Sequence, residues 1–172
     1  RDKDLAEAEF KYSQEQEKYK GNAKALEQLT KLHNAEVDKI NKDGLEIEGL
    51  ENNTYKLKAT TKINKIKDNT LILLTTKVYD SKKAIDGIKN LLKKDAIILC
   101  LQNGLYSENI VKDVVGNKCL VLRAVTNSGV AFLQPGVVQY NSHSYTAVEK
   151  NGKNAKSFAI ANLFAQCGLN GY

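Results

Sequence analysis

Two stretches, 71–74 and 96–101, are apolar at every position, and each breaks off into a polar string that opens a helical pattern. Leu71-Ile72-Leu73-Leu74 runs into Thr75-Thr76-Lys77-Val78-Tyr79-Asp80, and Leu101 runs into Gln102-Asn103-Gly104-Leu105. A strand that does not alternate apolar with polar residues is one covered on both faces. A chain that passes from such a strand to a helix and back to another builds a parallel sheet. In such a sheet ligands meet the carboxyl ends of the strands. The two polar strings therefore mark the edge where chemistry belongs.

The rest of the chain fits around that core. Residues 1–20 are rich in helix formers, with a thin apolar stripe of Leu5, Ala8, Tyr12 and Tyr19. Gly21-Asn22 breaks the pattern, and Asn22 suits the N-cap of a second helix. Leu26, Leu29, His33, Val37 and Ile40 then recur at helical steps, and Gly44 suits the left-handed residue that ends it. Residues 1–43 thus read as an αα unit without a strand. Alternation over 45–49 and 55–59 across Asn52-Asn53 predicts a hairpin. Ser81 suits the N-cap of a helix over 82–94, and a helix over 107–115 stops at Gly116-Asn117. A third buried strand is predicted over 119–125, followed by short extended runs at 130–133, 137–140 and 145–148 and a helix over 154–167 ended by Gly168. The order strand, helix, strand, helix, strand across 71–125 predicts three parallel strands. The runs within 130–148 lie too close together for crossovers and predict an antiparallel extension.

At 172 residues the chain is one domain's worth, and at 42% hydrophobic it is too apolar to be disordered. No run approaches the ~18 apolar residues of a membrane span, and no signal-peptide pattern opens it. Arg1 is not an initiator methionine and the chain holds no Met, which points to a piece of a longer product. Cys100, Cys119 and Cys167 include no Cys-x-x-Cys pair, a pattern of buried reduced thiols rather than of a metal site. Reduced thiols point to the cytoplasm. The net charge of +6 is carried almost wholly by scattered lysines, since only Arg1 and Arg123 are arginines. Nucleic-acid faces favour arginine and stacking aromatics, so neither nucleic acid nor membrane is expected as a partner.

The strand ends hold the candidate site. Lys77 offers a point charge for a phosphate, and Asn103 offers an amide that both donates and accepts. Thr126-Asn127-Ser128-Gly129 offers donors on a flexible turn after the third strand. Each signal is weak alone, because a lysine after a strand is usually a solvated turn residue and Asn-Gly is a common tight turn. Their arrival at successive strand ends is what suggests a nucleotide. Tyr79 and Tyr106 read as rim residues, His33 as a helix-surface residue and His143 as a loop residue.

Several strings also carry a resemblance. Ile40-Asn41-Lys42-Asp43-Gly44-Leu45, Lys58-Ala59-Thr60-Thr61, Thr76-Lys77-Val78-Tyr79-Asp80, Leu101-Gln102-Asn103-Gly104-Leu105 and Pro135-Gly136-Val137-Val138 occur in an order and spacing that resembles the ketopantoate reductase family over about residues 33–168. These are NADPH-dependent 2-dehydropantoate 2-reductases, which reduce a 2-keto acid to a 2-hydroxy acid. The resemblance implies an α/β fold: an incomplete Rossmann-like sheet, with a parallel core over 71–125 and an antiparallel extension over 130–148, preceded by the αα unit. It implies a helical segment 1–43 in place of the first βα unit and the remainder of an NADP-binding domain over 44–172. The implied cofactor is NADP, with Thr76, Lys77, Asn103 and Thr126 around it and Asn103 near the nicotinamide and the substrate hydroxyl. His33 stands where the family places an arginine for the 2′-phosphate.

Two departures qualify that picture. Residues 1–32 hold one glycine, Gly21, and no Gly-x-Gly-x-x-Gly, the loop whose bare backbone approaches a pyrophosphate. The family's catalytic Lys and Glu belong to a helical C-terminal domain that no stretch of this chain matches, so no catalytic residue maps onto it. The expectation is a cofactor-binding domain without reductase activity by itself. The alternative is a non-catalytic binding or scaffold module whose N-terminal helices contact a protein partner or a second copy.

Overall fold

A computed structural model describes residues 23–150 and 155–169. The helix expected over 1–20 and its Gly21-Asn22 break lie outside them. Within the described residues, six strands form one mixed sheet of order β2-β1-β6-β5-β4-β3, accompanied by four α-helices. The described residues divide into two compact units, 23–62 with 130–141 and 63–129 with 142–150 and 155–169.

In the first unit, α1 (Ala23–Asp43) leads through Gly44 into β1 (Leu45–Gly49) and its antiparallel partner β2 (Asn53–Tyr55). Gly44 ends the helix as expected: its φ is 97° and its N–H donates to the Ile40 carbonyl at 2.9 Å. A Cβ there would lie 2.8 Å from the Tyr55 carbonyl oxygen, so only glycine lets the hairpin close over the helix end. Asn41 clamps the Ala59 backbone in both directions, at 3.0 and 2.9 Å. Glu36 accepts the Gly136 N–H at 2.8 Å. The unit also contains a pairing absent from the sequence-based expectation, with β1 running parallel to the start of β6 from Glu46↔Val137 to Gly49↔Tyr140.

In the second unit the expected parallel core is present. Strand β3 (Leu71–Leu74) pairs in parallel with β4 (Ile97–Leu101), and β4 with the first residues of β5 (Leu120–Gln134). The side chains alternate between two cores. Ile72, Leu74, Ile98, Cys100 and Val121 pack with Ile85 of α2 (Ser81–Asp86) and with Val111 and Val115 of α3 (Ser107–Val115). Leu99, Leu122 and Ala124 pack with Ile160 and Phe164 of α4 (Ala155–Gln166). Gly168, at φ 77°, ends α4, and the Leu169 N–H reaches back to the Phe164 carbonyl at 2.9 Å.

Four expectations are corrected. The helix expected over 82–94 ends at Asp86; past Gly87 the chain advances in tight turns, with Ile88 N–H to Ile85 O at 3.0 Å and Leu91 N–H to Ile88 O at 2.8 Å. Its apolar period persisted because Ile88, Leu91 and Leu92 still face the core. Ser81 is the first helical residue rather than the cap, a position held by Asp80. The runs at 119–125 and 130–133 are one 15-residue strand, so Thr126–Gly129 lie inside β5 and not on a flexible turn. Likewise 137–140 and 145–148 fuse into β6 (Val137–Val148), which places His143 in a strand. Cross-strand pairing outweighs the turn preference of Asn, Ser and Gly here.

Candidate functional site

In the second unit, β3, β4 and the first residues of β5 run the same way in register, so the carboxyl ends of β3 and β4 arrive beside the interior of β5, just past its last residue paired with β4. The end of β3 is the string 75–77, exposed throughout, which turns through a 3-10 segment, Val78–Asp80, into α2. Lys77 adopts an extended backbone at φ −63° and ψ 148°, and the Asp80 N–H closes the turn on its carbonyl at 2.9 Å. The end of β4 is Gln102-Asn103-Gly104, with Gln102 buried and Asn103 exposed. Asn103 Oδ1 accepts the Thr126 backbone N–H at 3.3 Å. A backbone N–H can only donate, so the oxygen of that amide faces β5 and its NH2 remains as the group Asn103 offers a ligand. The site therefore brings Thr76, Lys77, Asn103 and Thr126 to one edge. His33 belongs to the first unit, on an exposed position of α1.

Three residues that the sequence did not single out hold these tips in place. Gln102 Nε2 donates to the Thr76 carbonyl, to Thr76 Oγ1 at 3.2 Å and to Ser81 Oγ at 3.0 Å. Gly104 lies so close to Val78 that a Cβ would come within 2.2 Å of Val78 Cγ2. Arg123 on β5 donates to the Gly104 carbonyl at 3.4 Å, and its Nε stands 3.8 Å from Glu108 Oε2 on α3. Arg123 did leave a sign, being the one charged residue inside the apolar run 119–125. Gln102 left none, because a glutamine beside Asn-Gly looks like any turn residue.

Beyond the tips a hydroxyl network crosses from β5 to β6. Thr126 Oγ1 is 3.0 Å from Ser128 Oγ and 3.1 Å from Thr146 Oγ1, and Ser128 Oγ is 2.7 Å from His143 Nδ1. His143 is thus tied to the site's third strand. Tyr106 precedes α3 in a left-handed conformation, φ 63° and ψ 13°, which costs a non-glycine residue about 1 kcal/mol. Beneath the tips, burial pushes the Cys100 thiol up to about 12, helped by the nearby Glu108 charge. Cys100 is wholly buried, whereas Cys167 is exposed, contrary to the expectation of three buried thiols.

This edge carries a cation, Lys77, an amide NH2, Asn103, and the hydroxyls of Thr76 and Thr126. That donor set fits a ligand carrying phosphate and oxygen acceptors.

Comparison with known proteins agrees. A family model for ketopantoate reductase PanE/ApbA matches residues 23–153. The 2-dehydropantoate 2-reductase of Pyrococcus horikoshii is 33% identical over 135 residues, covering 77% of this chain and 43% of that protein. Its counterpart from Pyrococcus abyssi is 29% identical, covering 74% of this chain and 42% of that protein. Among solved structures, a PanE/ApbA family ketopantoate reductase from Ralstonia eutropha matches at TM-score 0.69 and 24% identity, over 78% of this chain and 44% of its own. A D-mandelate dehydrogenase with NADH and anilino(oxo)acetate matches at TM-score 0.65 and 26% identity, over 81% of this chain and 46% of its own. The chain spans less than half the length of the relatives it matches. The match runs from the start of α1 through β6, including the ends of β3 and β4, and the chain belongs to the ketopantoate reductase PanE/ApbA family.

Proposed function

We propose that this chain is the cofactor-facing part of an NADPH-dependent 2-dehydropantoate 2-reductase, a cytoplasmic oxidoreductase serving pantothenate biosynthesis. Residues 44–172 are the cofactor domain, and 1–43 take the place of a first βα unit. The reading is carried by the meeting of Lys77, Asn103 and Thr126 at one sheet edge, with Asn103 bonded to the Thr126 backbone. NADPH supplies a hydride when bound. Lys77 offsets phosphate charge, and the Asn103 NH2 orients an oxygen of the nicotinamide ribose or of the substrate. Thr76 and Thr126 complete the rim with hydroxyls.

Residues 1–32 contain no glycine-rich phosphate loop, so the grip is partial and the affinity weak, on the order of 1 mM. Adding NADPH to the 15N-labelled chain should shift the backbone amides of Thr76, Lys77, Asn103 and Thr126. NADH should shift them less, and Lys77→Ala should weaken NADPH roughly tenfold, the worth of a charge-assisted hydrogen bond. If neither nucleotide moves those amides well above that concentration, the proposal fails.

A further inference from the structure

We infer that Gln102 is a positioning residue that, with Gly104, interlocks the ends of β3 and β4, setting the distance between Lys77 and Asn103 before any ligand arrives. The inference rests on the cofactor reading and deepens it. Asn103 is bracketed by these two residues. On one side Gln102, only 5% exposed, sends the N–H groups of its amide to the neighbouring tip, to the Thr76 carbonyl and hydroxyl and to Ser81 Oγ. Ser81 is fully buried and its hydroxyl lies 3.4 Å from Gln102 Oε1, so the carboxamide is engaged at both ends. On the other side Gly104 lets Val78 press against bare backbone.

The chemistry explains the choice of residue. The node needs a neutral atom that donates in two directions beneath a strand end, and a carboxamide nitrogen meets that need. A glutamate of the same shape would aim an oxygen at the Thr76 carbonyl and lose both donations. The Thr76 carbonyl has passed the end of the β3 ladder, which stops at Leu74↔Cys100, and Gln102 supplies a partner that no strand provides. The first tip thus enters α2 with its backbone held from below. Lys77 follows Thr76 directly and Asn103 follows Gln102 directly, so one buried amide fixes the roots of both ligand-facing residues. Preorganisation of this kind raises affinity by removing the cost of ordering two loops on binding.

The test uses the whole chain and three variants, read by NADPH titration and by amide exchange. Gln102→Glu should weaken NADPH roughly tenfold and speed exchange of the 75–80 amides, while the β4 amides keep their protection. Gly104→Ala should weaken NADPH similarly by wedging the tips apart. Val78→Ala combined with Gly104→Ala should restore affinity, because Val78 Cγ2, the atom in collision, is gone and its Cβ lies at 3.3 Å. Such rescue is not expected of a variant that merely destabilises the fold. Gln102→Glu with unchanged affinity and unchanged exchange at 75–80 would overturn the inference, as would a double variant no better than Gly104→Ala. If the wild-type chain binds no NADPH, the cofactor reading falls, and the interlock is judged on exchange at 75–80 alone.

Discussion

At the scale of single residues, the polarity of one amide decides what the site can bind. With its oxygen committed to the Thr126 N–H, Asn103 is a donor toward ligand. Asn103→Asp keeps the acceptor and the shape but removes the NH2, and its charge opposes a polyanionic nucleotide. We expect a loss of NADPH affinity of roughly tenfold or more with an unchanged melting temperature, since Asn103 is exposed. An Asp variant that binds as well as wild type would show that the NH2 is not the group in use. Lys77 and Asn103 were legible in the sequence because each is a chemically assertive residue placed just after an apolar run. Gln102 was not, since its role exists only once the ends of two strands meet. Gly104 was legible as part of a turn but not as a contact surface, because the sequence does not say that Val78 will press on it.

At the scale of elements, the parallel core was legible because a strand covered on both faces, as β4 is, loses its alternation, and β3 reads the same way although Leu73 is left exposed. The order strand, helix, strand, helix, strand then left little choice of topology. The sequence of the β5–β6 hairpin looks like several short runs, since Asn127-Ser128-Gly129 and Asn141-Ser142 mimic breaks that pairing with a neighbouring strand overrides. The parallel partnership of β1 with β6 joins segments some ninety positions apart and leaves no local trace. The last strand in the sheet order carries its own prediction. Among the described residues no strand pairs with the second side of β3, and Leu73 there is 46% exposed. Apolar edges invite pairing with another chain. Leu73→Lys should change stability by less than about 0.5 kcal/mol and reduce concentration-dependent association in sedimentation velocity. A loss several times larger would mean that this edge is covered.

At the scale of the whole molecule, stability and charge are linked through one buried thiol. Cys100 titrates near 12 in the folded chain against about 9 when unfolded, because burial disfavours its thiolate. The neutral thiol therefore contributes fully below pH 9, and that contribution is lost as pH climbs from 9 toward 12, on the order of 4 kcal/mol in all. Denaturant midpoints should fall over that window in the wild type and fall less in Cys100→Ala; equal slopes would contradict it. Among the described residues no helix is long and apolar enough to cross a membrane. The third cysteine sits differently: Cys167 lies in the open just past the last turn of α4. An accessible thiol oxidises readily to a bridge between two molecules when no reductant is present. A dimer that forms on storage in air and is lost on adding dithiothreitol is then a product of oxygen, and one that survives the reductant is a product of recognition.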